Sequence, residues 1–344
     1  MGKTTFKQGI KNMNDLIKRS NGLFHKALLL VLVPVLIINC YFFYMAYSGE
    51  SIDYSQMQNV DFNSVLQGNQ DAIVNFYDQL TEGFPQPNTE SSFTDYVLDF
   101  INILAIVFLD AFLIILGTSL LNEKNLSASI ISKEAFKKLP SLIILSIISS
   151  WITIRLEGMI YTGVFFAFVA FNMGNPLATY MAISTIVFMF SLVLLISCWF
   201  LLFVRYAAIA VASSRCRLIV ALGYTRAILK GNVWRQMFRI APFIIIGFIL
   251  PVSLQAIGIA LSDYPYILIA LVALSVIMEM LGFAYMWMQT IPEFFTLELN
   301  SGIQIKIRQM INNAMQKRAN INNQKENEDN KQEDEIKEDI EPKE

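Results

Sequence analysis

The apolar residues of this chain are gathered into six long runs rather than scattered, and that single feature narrows its folds most. The runs cover 27–47, 96–121, 141–163, 180–204, 240–261 and 266–291. Each has about 20 residues or more, enough for a helix to cross roughly 30 Å of hydrocarbon. In lipid such a segment satisfies its backbone N–H and C=O groups only within itself, so each run is expected to be a helix. The composition agrees: 55% of the residues are hydrophobic and 16% are charged, where a water-soluble domain carries about a quarter charged residues. The pattern predicts an all-α integral membrane protein with six transmembrane helices and amphipathic surface helices. Six spans and their loops use up most of 344 residues, leaving little for a second large globular domain.

Charge is sorted along the chain as strongly as hydropathy. Residues 1–26 carry Lys3, Lys7, Lys11, Lys18, Arg19 and Lys26 against one acid, Asp15. The loop 122–140 carries Lys124, Lys133, Lys137 and Lys138, and the loop 205–239 carries Arg205, Arg215, Arg217, Arg226, Lys230, Arg235 and Arg239. The alternate segments 48–95, 171–179 and 262–265 contain neither Lys nor Arg. Basic loops stay in the cytosol, so both termini are expected there. A chain rich in Ile, Asn and Lys suits the plasma membrane of a low-GC bacterium. One stretch strains the scheme. Residues 141–173 are long for one span and contain Arg155 and Glu157. Two spans there would invert everything downstream, so the reading is one span that continues into an interfacial segment on the far side. The first run exceeds a signal-peptide core in length and reads as an uncleaved helix.

Between and after the spans, three segments read as surface helices. In the acidic loop 48–95, Phe62, Val65, Leu66, Ile73, Phe76, Tyr77 and Leu80 fall at helical spacing. Residues 292–319 place Ile303, Ile307, Met310, Ile311, Ala314 and Met315 on one face, flanked by Lys306, Arg308, Lys317 and Arg318, as suits a helix lying on the cytoplasmic leaflet. Residues 320–344 form an acidic tail nearly without apolar side chains and are expected to be disordered. Within 205–239, a helix over 218–230 is expected to gather Leu218, Ile219, Ala221, Leu222 and Leu229 toward one side. Gly231 is placed to end it, Asn232 to cap the next helix, and Trp234 to sit at the interface.

The ionisable residues inside the runs are the first candidates for function. Asp110 lies near the middle of the second run and Glu279 near the middle of the sixth. A charge at that depth costs at least about 2.5 kcal/mol, so each is expected to face the bundle interior, a partner or water. Arg155 is a candidate counter-ion for either. The seven basic residues of 205–239 are candidate contacts for anionic headgroups at the inner leaflet, at about 1 kcal/mol each, or for a membrane-protein partner. Nothing points to a nucleic-acid partner, a cofactor or a metal. Cys40, Cys198 and Cys216 lack disulfide or metal spacing, and the single histidine, His25, stands beside the first run. Phosphate-loop, zinc-protease and nucleophile-elbow motifs are missing.

The pattern Arg205-Tyr206, Ala221-Leu222, Thr225-Arg226, Leu229-Lys230-Gly231-Asn232 and Trp234-Arg235 resembles the membrane domain of bacterial glycerophosphoryl diester phosphodiesterases and stand-alone six-span relatives of that domain. The resemblance implies an architecture. It does not bring the phosphodiesterase, whose chemistry resides in a separate domain with catalytic histidines and acidic metal ligands. The functional expectation is a non-enzymatic accessory, envelope-homeostasis or transport-associated component. The alternatives are a small-solute permease using Asp110 and Glu279 and, with least support, a membrane lipid enzyme.

Overall fold

The computed structural model describes residues 6–47, 64, 70–72, 74–75, 93–124, 126–172, 176–213 and 215–302. Its helices are α1 (Phe6–Arg19), α2 (Leu23–Tyr47), α3 (Phe93–Leu121), α4 (Ala128–Asn172), α5 (Pro176–Ala212), α6 (Leu218–Leu229), α7 (Val233–Ile244), a π-helical turn (Ile245–Ile249), α8 (Leu250–Ala260) and α9 (Pro265–Ser301). Six helical stretches are long and apolar enough to cross a membrane: Leu23–Tyr47, Tyr96–Leu121, Ala128–Phe168, Thr179–Ala212, Val233–Ala260 and Pro265–Ser301. The protein is an all-α, multi-pass membrane protein with six spans. The chain divides into two units, Met1–Phe294 and Phe295–Glu344. Of the second, the end of α9 and Gly302 are described. Within the first, α4 packs along α3, α5 and α8, α2 lies against α3, and α5 lies against α6 and α7.

Most helices outrun the apolar windows that announce them. α4 has 45 residues, a length of about 68 Å, and passes through Pro140, Arg155 and Glu157 without a break. The continuation expected after residue 163 is present as part of the same helix, which runs to Asn172. α5 extends from the predicted end at 204 to Ala212, and α9 runs through Pro292 to Ser301 instead of stopping at Ile291. A polar or proline residue halts an apolar window but not a helix, because hydrogen bonding continues wherever the backbone lacks a better partner. The expected surface helix 292–319 therefore begins as the end of α9. Its remainder, the tail 320–344 and most of the expected helix in 48–95 lie outside the described residues.

The N-terminal 26 residues were expected to be no more than a basic extension. Residues Phe6–Arg19 instead form a helix that buries Gly9, Met13 and Leu16 and packs against α3. Asn21 (φ 48°) and Gly22 (φ 81°) then turn the chain into α2. Ser20 supports the turn: its hydroxyl donates to the Ile17 carbonyl and accepts from the Phe24 N–H.

Two glycines set how closely α9 approaches its neighbour. A Cβ on Gly247 would stand 3.1 Å from the Gly282 Cα, and one on Gly282 would overlap the Gly247 backbone. Gly247 lies in the π turn. The cause of that turn is four residues further on: Pro251 has no N–H to offer the Gly247 carbonyl, and its ring crowds it. The helix relaxes to the wider register, in which the Leu250 N–H donates to the Ile245 carbonyl.

Candidate functional site

Three helices bring one acid, one base and two aromatic rings together in the bundle interior. α3 supplies Asp110, α5 supplies Arg205, and α9 supplies Phe283 and Trp287. The Trp287 Nε1–H donates to Asp110 Oδ1 at 2.5 Å. The Arg205 guanidinium carbon lies 4.2 Å from the centre of the Trp287 ring and 4.8 Å from that of Phe283. One indole thus holds the acid by its edge and the base by its face. The ring face carries negative potential and the N–H positive, so both contacts are attractive and grow stronger away from water. Asp110 is the opposite charge acting on Arg205, so the pair enters the membrane with its charge balanced. A cavity of about 60 Å³ adjoins it, lined in part by Ser146 and Ser149, with room for a few water molecules.

Arg205 is 6% exposed, and its Nε and Nη1 have no hydrogen-bond partner among the described residues. The rings of Phe283 and Trp287 lie against the same guanidinium. Replacing Trp287 with Phe keeps a ring beneath Arg205 and removes the donor to Asp110. The expected result is a loss of about 1–3 kcal/mol from the unsatisfied carboxylate, seen as a lower thermal midpoint in detergent. An unchanged midpoint would show that the indole N–H does not hold Asp110.

A second polar cluster lies near the Ser301 end of α9. Arg239 of α7 and Glu293 of α9 form an ion pair at 2.8 Å, with side chains 5% and 7% exposed. Gln236 and Gln289 are buried beside it, and the Gln289 amide donates to the Arg239 carbonyl at 3.5 Å. Tyr206 and Thr225 are also fully buried. α1 reaches this cluster through Gly9, where a Cβ would come within 2.9 Å of Glu293 Oε1.

A third cluster lies toward the Pro265 end. The Tyr161 hydroxyl donates to Gln255 Oε1 at 2.9 Å, and the Gln255 amide donates to Ser275 Oγ at 3.1 Å. Glu157 lies near enough to act on Glu279, and both lie near enough to act on Tyr161. Among the described residues neither glutamate forms an ion pair with Lys or Arg.

The sequence candidates are thus regrouped. Asp110 and Glu279 do not share a site: Glu279 stands eight residues from Trp287 on α9, about 12 Å along the axis. Arg155 is exposed on α4 beside exposed Trp151 and Ile154, and it is not the counter-ion of Asp110, which is Arg205. Of the seven basic residues expected to meet headgroups, Arg205 and Arg239 are 6% and 4% exposed and are committed to interior partners. Residue 205 was read as the start of a loop, whereas α5 continues past it. Arg235 is half-buried and acts on Glu293. Arg215, Arg217, Arg226 and Lys230 are exposed.

α6 also turns a different face inward. It buries Ala221, Thr225, Ile228 and Leu229 and leaves Ile219, Val220 and Leu222 exposed. Gly231 ends this segment with φ 80°, as its freedom to adopt a left-handed conformation leads one to expect. Asn232 precedes α7 without a side-chain cap. Leu222 and Gly223, with Arg226 and Lys230, face Trp199, Phe200 and Phe203 of α5 and Ile148 of α4 across a groove of about 970 Å³.

Trp287, Phe283 and Glu293 went unnoticed in the sequence. Trp287 is apolar enough to pass as a span residue, and Glu293 falls just beyond the window that ended at Ile291. A tryptophan deep within a run that is paired elsewhere with a lone aspartate was the available signal for the first. The chain has no significant match among protein-family models, curated proteins or solved structures.

Proposed function

We propose that this protein is a non-enzymatic component of a bacterial plasma membrane, an accessory to transport or to envelope homeostasis, with both termini in the cytoplasm. The observation that carries this reading is how the charges inside the bundle are used. Asp110, Arg205, Arg239 and Glu293 are engaged with one another and with Trp287. A membrane enzyme needs a nucleophile with a base, or a metal, facing a substrate. These groups face each other and hold helices together. The pattern from Arg205 to Arg235 supports kinship with the membrane domain of the phosphodiesterases as part of the same proposal. Crosslinking followed by purification from native membranes tests the accessory role, with a stable stoichiometric partner expected. Recovery of the chain alone, under conditions that preserve other membrane complexes, would count against it.

A second reading, a small-solute permease, draws on the third cluster. Glu157 and Glu279 are carboxyl groups inside spans with hydrogen-bonding groups nearby and no cationic partner among the described residues, and such groups mark ion and solute paths in other membrane proteins. Under this reading, proteoliposomes carry a solute or proton flux that Glu279→Gln abolishes while protein abundance stays normal. Under the accessory reading, the Glu279→Gln variant leaves both abundance and phenotype unchanged.

A further inference from the structure

We infer that the groove between α4, α5 and α6 is a binding site for one anionic phospholipid, with the phosphate between Arg226 and Lys230 and an acyl chain along Trp199, Phe200 and Phe203. The inference deepens the proposed function by naming a ligand.

The groove has two regions of different chemistry. Its body is apolar and aromatic, from Ile148, Trp199, Phe200, Phe203 and Leu222. Its rim is cationic. Arg226 stands in the last turn of α6 and Lys230 directly follows that helix, and both line the groove. Both are exposed, and neither forms an ion pair with an acid among the described residues. The neighbouring basic residues differ: Arg205 and Arg239 have interior partners, and Arg235 acts on Glu293. The occupant that matches an apolar body ending at two uncompensated cations is apolar along its length and anionic at one end. At about 970 Å³ the groove is at the upper end of the range for ligand sites. Its wall is open on the lipid side, since Ile148, Trp199 and Leu222 are 43%, 52% and 47% exposed, so a lipid can enter from the bilayer.

Gly223 makes the site testable by shape as well as by charge. It lines the groove, and a Cβ there meets nothing within 4 Å. A side chain at 223 therefore starts into open space beside the groove, and an apolar one adds no charge.

The experiment uses the full chain in nanodiscs of equal parts phosphatidylglycerol and phosphatidylcholine, with retained lipid read by native mass spectrometry. The wild type is expected to retain one phosphatidylglycerol. Arg226→Gln with Lys230→Gln is expected to lower the preference for phosphatidylglycerol by about tenfold or more. Gly223→Phe is expected to abolish retention of either lipid. A full preference in the double variant overturns the inference, and so does undiminished retention in Gly223→Phe or a lipid-free pair of chains in place of a lipid-bound one. Should Gly223→Phe fail to fold, chain-brominated lipids decide in the unaltered groove. The fluorescence lost on Trp199→Phe is expected to be quenched more by brominated phosphatidylglycerol than by brominated phosphatidylcholine. Equal quenching overturns the inference. The choice of leaflet rests separately on the proposed topology. Labelling of Cys216 from outside intact cells would refute the topology and leave the lipid preference standing.

Discussion

Substituting Arg239 with Met should be among the most damaging single changes in the protein, costing about 3–5 kcal/mol. The reason is the company Arg239 leaves behind. Glu293 is 6% exposed, and its nearest opposite charge is the Arg239 guanidinium at 2.8 Å. Without it, a buried carboxylate remains beside Gln236, Gln289 and Tyr206, with half-buried Arg235 as the remaining cation acting on it, and a buried charge without a close partner is far costlier than a paired one. The pair itself is a different quantity. Replacing both members with apolar residues of similar volume removes the desolvation cost together with the attraction and is often neutral or favourable. Arg239→Met combined with Glu293→Leu should therefore recover most of the stability that Arg239→Met alone loses. Thermal midpoints of the four proteins in detergent, with their abundance in membranes, close the cycle. If the double variant is as unstable as the sum of the two single variants, the ion pair is not what couples α7 to α9.

The second large effect is expected at the glycine crossing and is asymmetric. Gly282→Ala places a methyl group against the Gly247 backbone, closer than real contacts allow. Backbone cannot rotate away as a side chain can, so the helices must separate. The expected cost is about 3 kcal/mol, the upper part of the range for overpacking. Gly247→Ala puts its methyl 3.1 Å from the Gly282 Cα, a tight contact that a shift of a few tenths of an ångström relieves, and about 1 kcal/mol is expected. Close backbone approach through small residues is a general way for helices to associate in lipid, where no hydrophobic effect drives them together. Thermal midpoints of the two alanine variants decide the matter. Equally small effects would mean that the π turn accommodates either methyl, and that the crossing does not limit how near α9 comes.

The two predictions bear on different parts of the function. The Gly247–Gly282 crossing sets the position of α9, which carries both Phe283 and Trp287 against Arg205 and Glu279 near Glu157. Loss of the crossing should disturb those clusters without altering any of their residues. The Arg239–Glu293 pair couples α7 to α9 beside the contact of α1 at Gly9.

The class of this protein was legible in its sequence because the bilayer allows so few solutions. Runs of about 20 apolar residues must be helices in lipid, and their number and order follow from counting. The termination at Gly231 was legible for an equally local reason, the conformational freedom of a residue without a side chain. The helix over residues 6–19 was not read from the sequence: only Gly9, Met13 and Leu16 are buried in it, too few apolar positions to stand out from the lysines around them. What one run of sequence could not contain was which charge meets which. Arg205 and Arg239 sit at the edges of apolar windows and looked like members of a basic loop. Only the packing of α5 and α7 against α3 and α9 turned them inward, toward Asp110 and Glu293. The face α6 buries, the partner of Trp287 and the groove walled by α4, α5 and α6 were likewise decided by tertiary contact. Hydropathy is a property of each segment, and the bilayer acts on it segment by segment. Charge pairing and shape are properties of two or more segments at once, and they exist only when the helices have come together.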